Sequence, residues 1–142
     1  MIRTLSILSV ATLGLAACGE ATDADIDDGV EITVENATGT GTVYVALQSE
    51  GIFGGNDATY GGTATPMNGM AEVEIAGVMA GDYAVAAFQD TNGNGVLDIG
   101  GNGVPTEPWA LSNGAGTAGA PAFADARITF DGDDDVTVTL VR

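Results

Sequence analysis

Short runs in which apolar and polar residues alternate are the feature that most constrains how this chain can fold. Residues 30–35 place Val30, Ile32 and Val34 at every second position, and residues 136–141 repeat the pattern near the C terminus. A period of two is typical of β-strands that bury one face and expose the other. Beyond the first 17 residues, no segment shows a helical period of useful length. The sequence therefore predicts an all-β domain.

Turns rich in glycine and asparagine separate the predicted strands. The run 82–89 is apolar on both faces, so we place it centrally in a sheet with both sides covered. Residues 131–135 are expected to join the last two strands as a hairpin, and residues 51–62 to form a long connection that caps a sheet edge. About seven short strands favour a small antiparallel β-sandwich, immunoglobulin-like or prealbumin-like, with a closed barrel as the alternative. The strands are expected near residues 30–35, 43–47, 70–75, 82–89, 126–130 and 136–141.

The N-terminal segment has the three-part build of a secretory signal. A positive start at Arg3 precedes an apolar run that ends in Leu15-Ala16-Ala17-Cys18. That ending resembles the lipobox of bacterial lipoproteins, which implies cleavage before Cys18 and a lipid anchor on its sulfur. The alternative is an ordinary cleaved signal that contains a cysteine. We therefore predict a signal peptide at residues 1–17, an acidic tether at 18–29 and the sandwich domain at 30–142.

The lipobox resemblance also implies a place in the cell. A lipid-anchored chain of this kind is expected in the bacterial cell envelope, with its domain periplasmic or surface-exposed. Gly19 follows Cys18, where some enteric bacteria use Asp to retain lipoproteins at the inner membrane. We therefore prefer the outer membrane.

The composition excludes several classes of function. The chain has 20 acidic residues against three basic ones and a net charge of −17, so nucleic acid is not an expected partner. Cations and positively charged surfaces remain natural partners, although acidity also simply keeps a domain soluble. No histidine is present, and Cys18 is the sole cysteine, so the usual nucleophilic triads and His-bearing zinc sites cannot be built. We expect no enzymatic activity.

Directly after the central predicted strand, oxygen-bearing side chains recur at every second position. Asp90, Asn92 and Asn94 occupy positions one, three and five of this loop, and Gly95 allows the sharp turn at position six. This spacing lets oxygen ligands converge on one calcium ion. The backbone carbonyl of Val96 at position seven and Asp98 at position nine complete the predicted set.

The loop departs from a helix-flanked calcium hand. A strand precedes it, and position twelve is Gly101 in place of a bidentate Glu, although Glu107 is a candidate to complete the coordination sphere. With so few carboxylates, the expected dissociation constant is modest, on the order of 0.1 to 1 mM. The alternative is a plain turn, because Asn-Gly is itself a strong turn signal. Asp90 and Asp98 as an acid–base pair of a carboxylate-based hydrolase is a minor alternative.

A family resemblance rests on the residues around this loop. The stretch 81–98, followed by residues 103–107, 111–113 and 120–126, resembles the bacterial family known as domain of unknown function 2141. The resemblance implies a secreted or lipid-anchored β-sandwich with no assigned activity. Gln89 stands where that family usually has His, so no role of that histidine carries over. The loop is also similar to the calcium loops in B-type repeats of bacterial surface adhesins, which supports the ion and not an adhesive function.

Trp109 lies just beyond the loop and has two interpretations. Its ring could stack on a sugar, or it could pack in the core over the Tyr83 or Phe88 side of the central strand, which we favour. Phe123 is likewise expected to act as a plug. The leading hypothesis is a lipid-anchored, calcium-stabilised, non-catalytic structural or binding module. The alternative is a carbohydrate- or protein-recognition domain with an envelope protein or polysaccharide partner, which an exposed Trp109 beside a concave face would favour.

Overall fold

Two β-sheets face each other in the computed structural model, which describes residues 29–142. The predicted signal peptide and Cys18 lie outside the described residues. Within the described part of the chain, no helix is long and apolar enough to cross a membrane. Residues 29–142 contain two short 3-10 helices (Glu50–Ile52 and Ser112–Gly114), one short α-helix and eight strands: β1 (Gly29–Glu35), β2 (Thr42–Gln48), β3 (Tyr60–Ala64), β4 (Met70–Ala76), β5 (Gly81–Asp90), β6 (Trp109–Leu111), α1 (Phe123–Ala126), β7 (Arg127–Phe130) and β8 (Asp135–Thr139).

The prediction of a small all-β sandwich is confirmed, with eight strands in place of about seven. One sheet has the order β4-β1-β8, and the other has the order β3-β2-β5-β6. β7 also pairs with β5, so β6 and β7 share one edge of that central strand. All pairs are antiparallel except β1 with β8, which run parallel. The sandwich is therefore not wholly antiparallel.

The predicted hairpin at residues 131–135 is wrong. β7 belongs to the five-stranded sheet, whereas β8 pairs with β1 in the other sheet. The intervening residues carry the chain from one sheet to the other. The Asp134 carboxylate accepts hydrogen bonds from the N–H groups of Asp131, at 2.8 Å, and Gly132, at 3.3 Å. Alternation identifies both strands but does not say which sheet each one joins.

Two strands escaped prediction because their sequences carry little pattern. β3 lies at the end of the stretch that we expected to be a connection, and two of its five residues are glycines. Gly62 faces the interior, where a Cβ would come within 2.6 Å of the Val73 side chain. β6 has only three residues, too few to show a period.

The core lies between the two sheets and is built from the inward side chains of their strands. Tyr83 packs edge-on against Tyr60 and Phe130, with ring centroids 5.8 and 5.9 Å apart. Aromatic pairs in this geometry stabilise the fold beyond the contribution from burying their apolar surface. The fully or almost fully buried core side chains include Val30, Ile32, Val34, Val43, Val45, Leu47, Val85, Phe130, Val138 and Leu140.

The central position of β5 is confirmed, but only part of its outer face is covered. Ala84 lies beneath a small cluster that contains Phe53 and Phe123. Farther along the strand, Ala86 and Phe88 are only half-buried. The expectation that both sides of this strand are covered is therefore correct for its first half and wrong for its second.

Gln89 is a polar side chain inside the core. It is fully buried, and its Oε1 has no hydrogen-bond partner, while its Nε2 lies 3.4 Å from the Thr40 carbonyl. A buried acceptor without a donor costs about 1 to 3 kcal/mol. Since methionine has nearly the same shape and no such acceptor, we expect Gln89→Met to raise the free energy of unfolding by about 1 kcal/mol.

Gln48 provides the matched control for this substitution. Its amide donates to the Gly55 and Asp57 carbonyls and accepts from the Gly54 N–H, so every polar atom is used. Gln48→Met should lower the free energy of unfolding by about 2 kcal/mol. Urea unfolding of the two variants beside the wild type measures both changes. A loss of stability in Gln89→Met equal to that in Gln48→Met would contradict the assignment of Oε1 as unpartnered.

Candidate functional site

Asp90 ends β5 and organises the loop that follows it. Only 3% of its surface is exposed. Its Oδ1 accepts hydrogen bonds from the N–H groups of Gly93, at 2.7 Å, and Asn94, at 3.3 Å. Its Oδ2 accepts one from Gly95 at 2.7 Å. One carboxylate therefore gathers three consecutive backbone donors and fixes the tight turn.

These contacts decide the charge of Asp90. Burial alone would raise the pKa of this carboxyl, but hydrogen bonds from the backbone N–H groups of Gly95, Gly93, Asn94 and Asn92 outweigh that effect and lower the pKa. Asp90 is therefore a carboxylate at neutral pH. The turn needs left-handed backbone at Gly95, whose φ is +79°.

Asn92 and Asn94 each use both ends of the side chain. Their Oδ1 atoms accept hydrogen bonds from the N–H groups of Asn94, at 3.0 Å, and Val96, at 3.1 Å. Their Nδ2 atoms donate to the Asp98 carboxylate, with Asn94 at 3.0 and 3.1 Å from its two oxygens. Three of the predicted ligand side chains are thus in mutual contact at the loop surface.

Glu107 is buried and secures the base of the loop. Its Oε1 accepts from the N–H of Thr91 at 2.7 Å and from the Thr91 hydroxyl at 3.1 Å. Its Oε2 lies 3.3 Å from the N–H of Asp98. The structure therefore places Glu107 beside the loop, where a residue that completes the coordination sphere would have to lie. Its two oxygens hold both ends of the loop together.

The donor set suits a hard cation, although it is not gathered around one point. Among residues 29–142, no three acidic side chains lie close enough together to hold a metal ion as placed. Coordination by Asn92 and Asn94 would require their amide oxygens to turn from the backbone toward Asp98. The side-chain and carbonyl oxygens of residues 90–98 are the ligand type that calcium prefers.

A groove crosses the outer face of the five-stranded sheet. Strand register places Thr63, Tyr44, Phe88 and Trp109 in one row across β3, β2, β5 and β6. The neighbouring row consists of Gly61, Ala46, Ala86 and Leu111. The small side chains of that second row leave space beside the rings, and the groove has a volume of about 1250 Å³.

The candidate calcium loop forms part of one groove wall. Gly95, Val96 and Leu97 line the groove. The direction of a Cβ on Gly95 points to the Tyr44 hydroxyl, at 3.8 Å. Val96 is 48% exposed, and Ile99 and Val104 farther along the same wall are also exposed. A ligand that fixes the conformation of residues 90–98 therefore also fixes the position of this wall of the groove.

Trp109 lies in this groove and not in the core. The favoured prediction of core packing is therefore wrong: Trp109 lies on the Phe88 side of β5, one of the two sides expected, and is only half-buried. Gly116 closes on its ring, where a Cβ would come within 3.0 Å. Phe123 packs edge-on against Phe53 with centroids 5.7 Å apart, consistent with its expected role as a plug.

Sequence reasoning missed the residues on which the groove depends. Tyr44 and Phe88 stack with ring centroids 5.0 Å apart and an interplanar angle of 7°. Both occupy outward positions of strands that were predicted correctly. The available signal was the outward row of β2, where Tyr44 and Ala46 alternate with the buried residues Val43, Val45 and Leu47. Apolar residues at outward positions indicate a covered or binding face.

Comparisons with known proteins identify a family and leave the activity open. A search of curated proteins and a search of solved structures give no match. A family model with the description "Uncharacterized protein conserved in bacteria (DUF2141)" matches residues 32–139, which contain the sandwich, the loop and the groove. The chain belongs to this family of uncharacterized bacterial proteins.

Proposed function

We propose that this protein is a lipid-anchored, non-catalytic binding module of the cell envelope, with a calcium ion that holds its binding groove in shape. The observation that carries the proposal is the position of residues 90–98: their side chains present carboxylate and amide oxygens, and Gly95, Val96 and Leu97 of the same loop line the groove. Cys18 would carry the lipid anchor, and the acidic residues that follow it would hold the domain away from the membrane.

Charge supports a cation at the loop. Asp90, Asp98 and Glu107 bring three carboxylates to one region. Neither arginine of the described chain neutralises them, because Arg127 pairs with Asp82 at 3.3 Å and Arg142 binds Thr38 at 2.6 Å. The Asp98 carboxylate accepts hydrogen bonds from the side-chain N–H₂ groups of Asn92 and Asn94, where a cationic partner would otherwise stand. A divalent cation would replace those dipoles with a full charge.

The proposed ligands divide into two groups. Asp98, Asn92 and Asn94 lie together at the surface and would contact the ion through oxygen once the amides turn. Asp90 and the Val96 carbonyl belong to the same turn as these three residues. Glu107 would hold the loop in place through its contacts with Thr91 and Asp98. When bound, calcium would supply only charge and a fixed geometry, because its place in this proposal is structural.

The same contacts argue against the hydrolase alternative. Both oxygens of Asp90 are committed to backbone N–H groups, and Asp90 has a lowered pKa. A general acid needs a raised pKa and a proton to give at neutral pH. Asp90 therefore suits support of the loop better than proton transfer.

Asp98→Asn is the sharpest test of calcium binding, because the Asp98 side chain contacts only exposed groups. At 10 mM calcium, a site with a dissociation constant of about 0.1 mM stabilises the fold by about 2.7 kcal/mol, or roughly 10 °C in Tm. We expect this shift in a chain that begins at Gly19, which retains all eight strands, and a much smaller shift with magnesium. Asp98→Asn should melt within about 2 °C of the wild type in chelator and lose most of the calcium response.

Asp133→Asn is the matched control, because it removes the same charge from an exposed turn far along the chain. It should respond to calcium as the wild type does. Asp90→Ala is a poorer test, since loss of its backbone contacts lowers Tm with or without calcium. An unchanged wild-type Tm in calcium, or an equal response of Asp98→Asn and Asp133→Asn, would exclude the proposed ion site.

A further inference from the structure

We propose that the groove binds an uncharged glycan, with Tyr44, Phe88 and Trp109 as the aromatic row against which it packs. This inference rests on the proposal that the domain is a binding module and names the class of ligand. Calcium binding is tested independently by the melting experiment. The charge of the groove, its aromatic row and its floor of small residues support this class of ligand.

Charge separates the two outer faces of the sandwich. The outward positions of the three-stranded sheet carry Glu31, Glu35, Glu72, Glu74 and Asp135, all exposed. The groove on the opposite sheet contains only two charged residues, Asp57 and Arg142. An anionic ligand would be repelled by the net charge of −17. A cationic ligand would find more partners on the acidic face, so an uncharged ligand fits the groove best.

The aromatic row has the chemistry that sugars use. Tyr44 and Phe88 stack face to face on each other, so they supply apolar ring edges to the groove. The Tyr44 hydroxyl lies beside Gly95 of the groove wall and adds a hydrogen-bonding group. Four adjacent strands carry the row from Thr63 to Trp109, a span of roughly 14 Å at the usual strand spacing. That length suits a short oligosaccharide. An acyl chain would cover the polar side chains of Asn56 and Thr63 in the groove lining without offering them a hydrogen-bond partner.

The floor beside the rings is kept low by the row that contains Gly61, Ala46 and Ala86. Ala46 and Ala86 are half-buried, and both lie on the outer face, away from the core between the sheets. A larger side chain at Ala86 would therefore fill the groove without entering the core. Ala76 is an exposed alanine on the other sheet and gives a matched position for the same substitution.

Trp109 provides the readout, because it is the single tryptophan of the chain. We would titrate the chain that begins at Gly19 with cellohexaose, xylohexaose and maltohexaose, in chelator and in calcium, and follow tryptophan emission. The expected result is a saturable change with at least one glycan. Ala86→Leu should lower the affinity for that glycan by roughly tenfold or more, since the larger side chain would fill the floor of the groove. Ala76→Leu should bind as the wild type does.

Three outcomes would overturn the glycan assignment. The first is no emission change with any of the three glycans in either condition. The second is unchanged glycan affinity in Ala86→Leu. The third is saturation by a dodecyl chain with no response to glycans, which would assign the groove to acyl ligands. If calcium still raises Tm in any of these cases, the proposal of calcium binding is retained and the proposal of glycan binding is rejected.

Discussion

Gly41→Ala is expected to lower the free energy of unfolding by about 3 kcal/mol or more. Gly41 precedes β2 with a φ of +121°, and its α-carbon faces the end of β5. A Cβ there would overlap the Asp90 carbonyl oxygen and lie 2.8 Å from the carbonyl carbon. Both partners are backbone, so neither can turn aside as a flexible side chain would. The clash would also displace the first residue of the proposed calcium loop.

Gly39→Ala separates the two causes of this effect. Gly39 also has a positive φ, +93°, but nothing lies within 4 Å of the position that its Cβ would take. The cost of a left-handed alanine alone is about 1 kcal/mol. Urea unfolding of both variants gives the comparison. Equal losses in Gly39→Ala and Gly41→Ala would show that the contact with Asp90 is not close enough to matter.

Ser112→Ala should lower the free energy of unfolding by about 2 to 3 kcal/mol, although it removes a single oxygen. Ser112 is fully buried where β5 changes partner from β7 to β6. Its hydroxyl accepts the N–H of Val85 at 2.9 Å and donates to the Ala126 carbonyl. The side chain thus replaces the strand partner that β5 lacks at this point. Alanine would leave two buried backbone groups unpaired.

Ser49→Ala is the control for this change. The Ser49 hydroxyl accepts a hydrogen bond from Thr59 at an exposed position, so its loss should alter stability by no more than about 0.5 kcal/mol. Hydrogen exchange adds a local readout, because the amide of Val85 should lose protection in Ser112→Ala. A loss below about 0.5 kcal/mol with Val85 still protected would contradict the bridging role.

The fold was predictable where burial imposes a period. β1, β2, β4, β7 and β8 each keep one face in the core, and their alternation marks them in the sequence, whereas β5 was identified by a run that is apolar on both faces. β3 and β6 were missed because one is glycine-rich and the other is very short. The parallel pairing of β1 with β8 was also not predictable, since alternation is the same in parallel and antiparallel strands.

The loop and the groove differ in how much the sequence reveals. The spacing of Asp90, Asn92, Asn94 and Asp98 identified a loop in which the side chains of Asn92, Asn94 and Asp98 do lie together. Their hydrogen bonds to the backbone depend on exact torsion angles, which no spacing determines. The groove needs the register of four strands to bring Tyr44, Phe88 and Trp109 into one row. No local stretch of sequence determines such long-range strand pairing.

A calcium titration of the amide NMR spectrum most directly tests whether an ion fixes the loop and the groove together. The chain that begins at Gly19 would be titrated with calcium and, separately, with magnesium. We predict saturable, calcium-selective shifts at the amides of Gly93, Gly95 and Asp98 and at the Trp109 indole N–H, with the strands of the opposite sheet unchanged. A spectrum that stays the same through 10 mM calcium, a hundred times a dissociation constant of about 0.1 mM, would contradict the proposed ion and its role in shaping the groove.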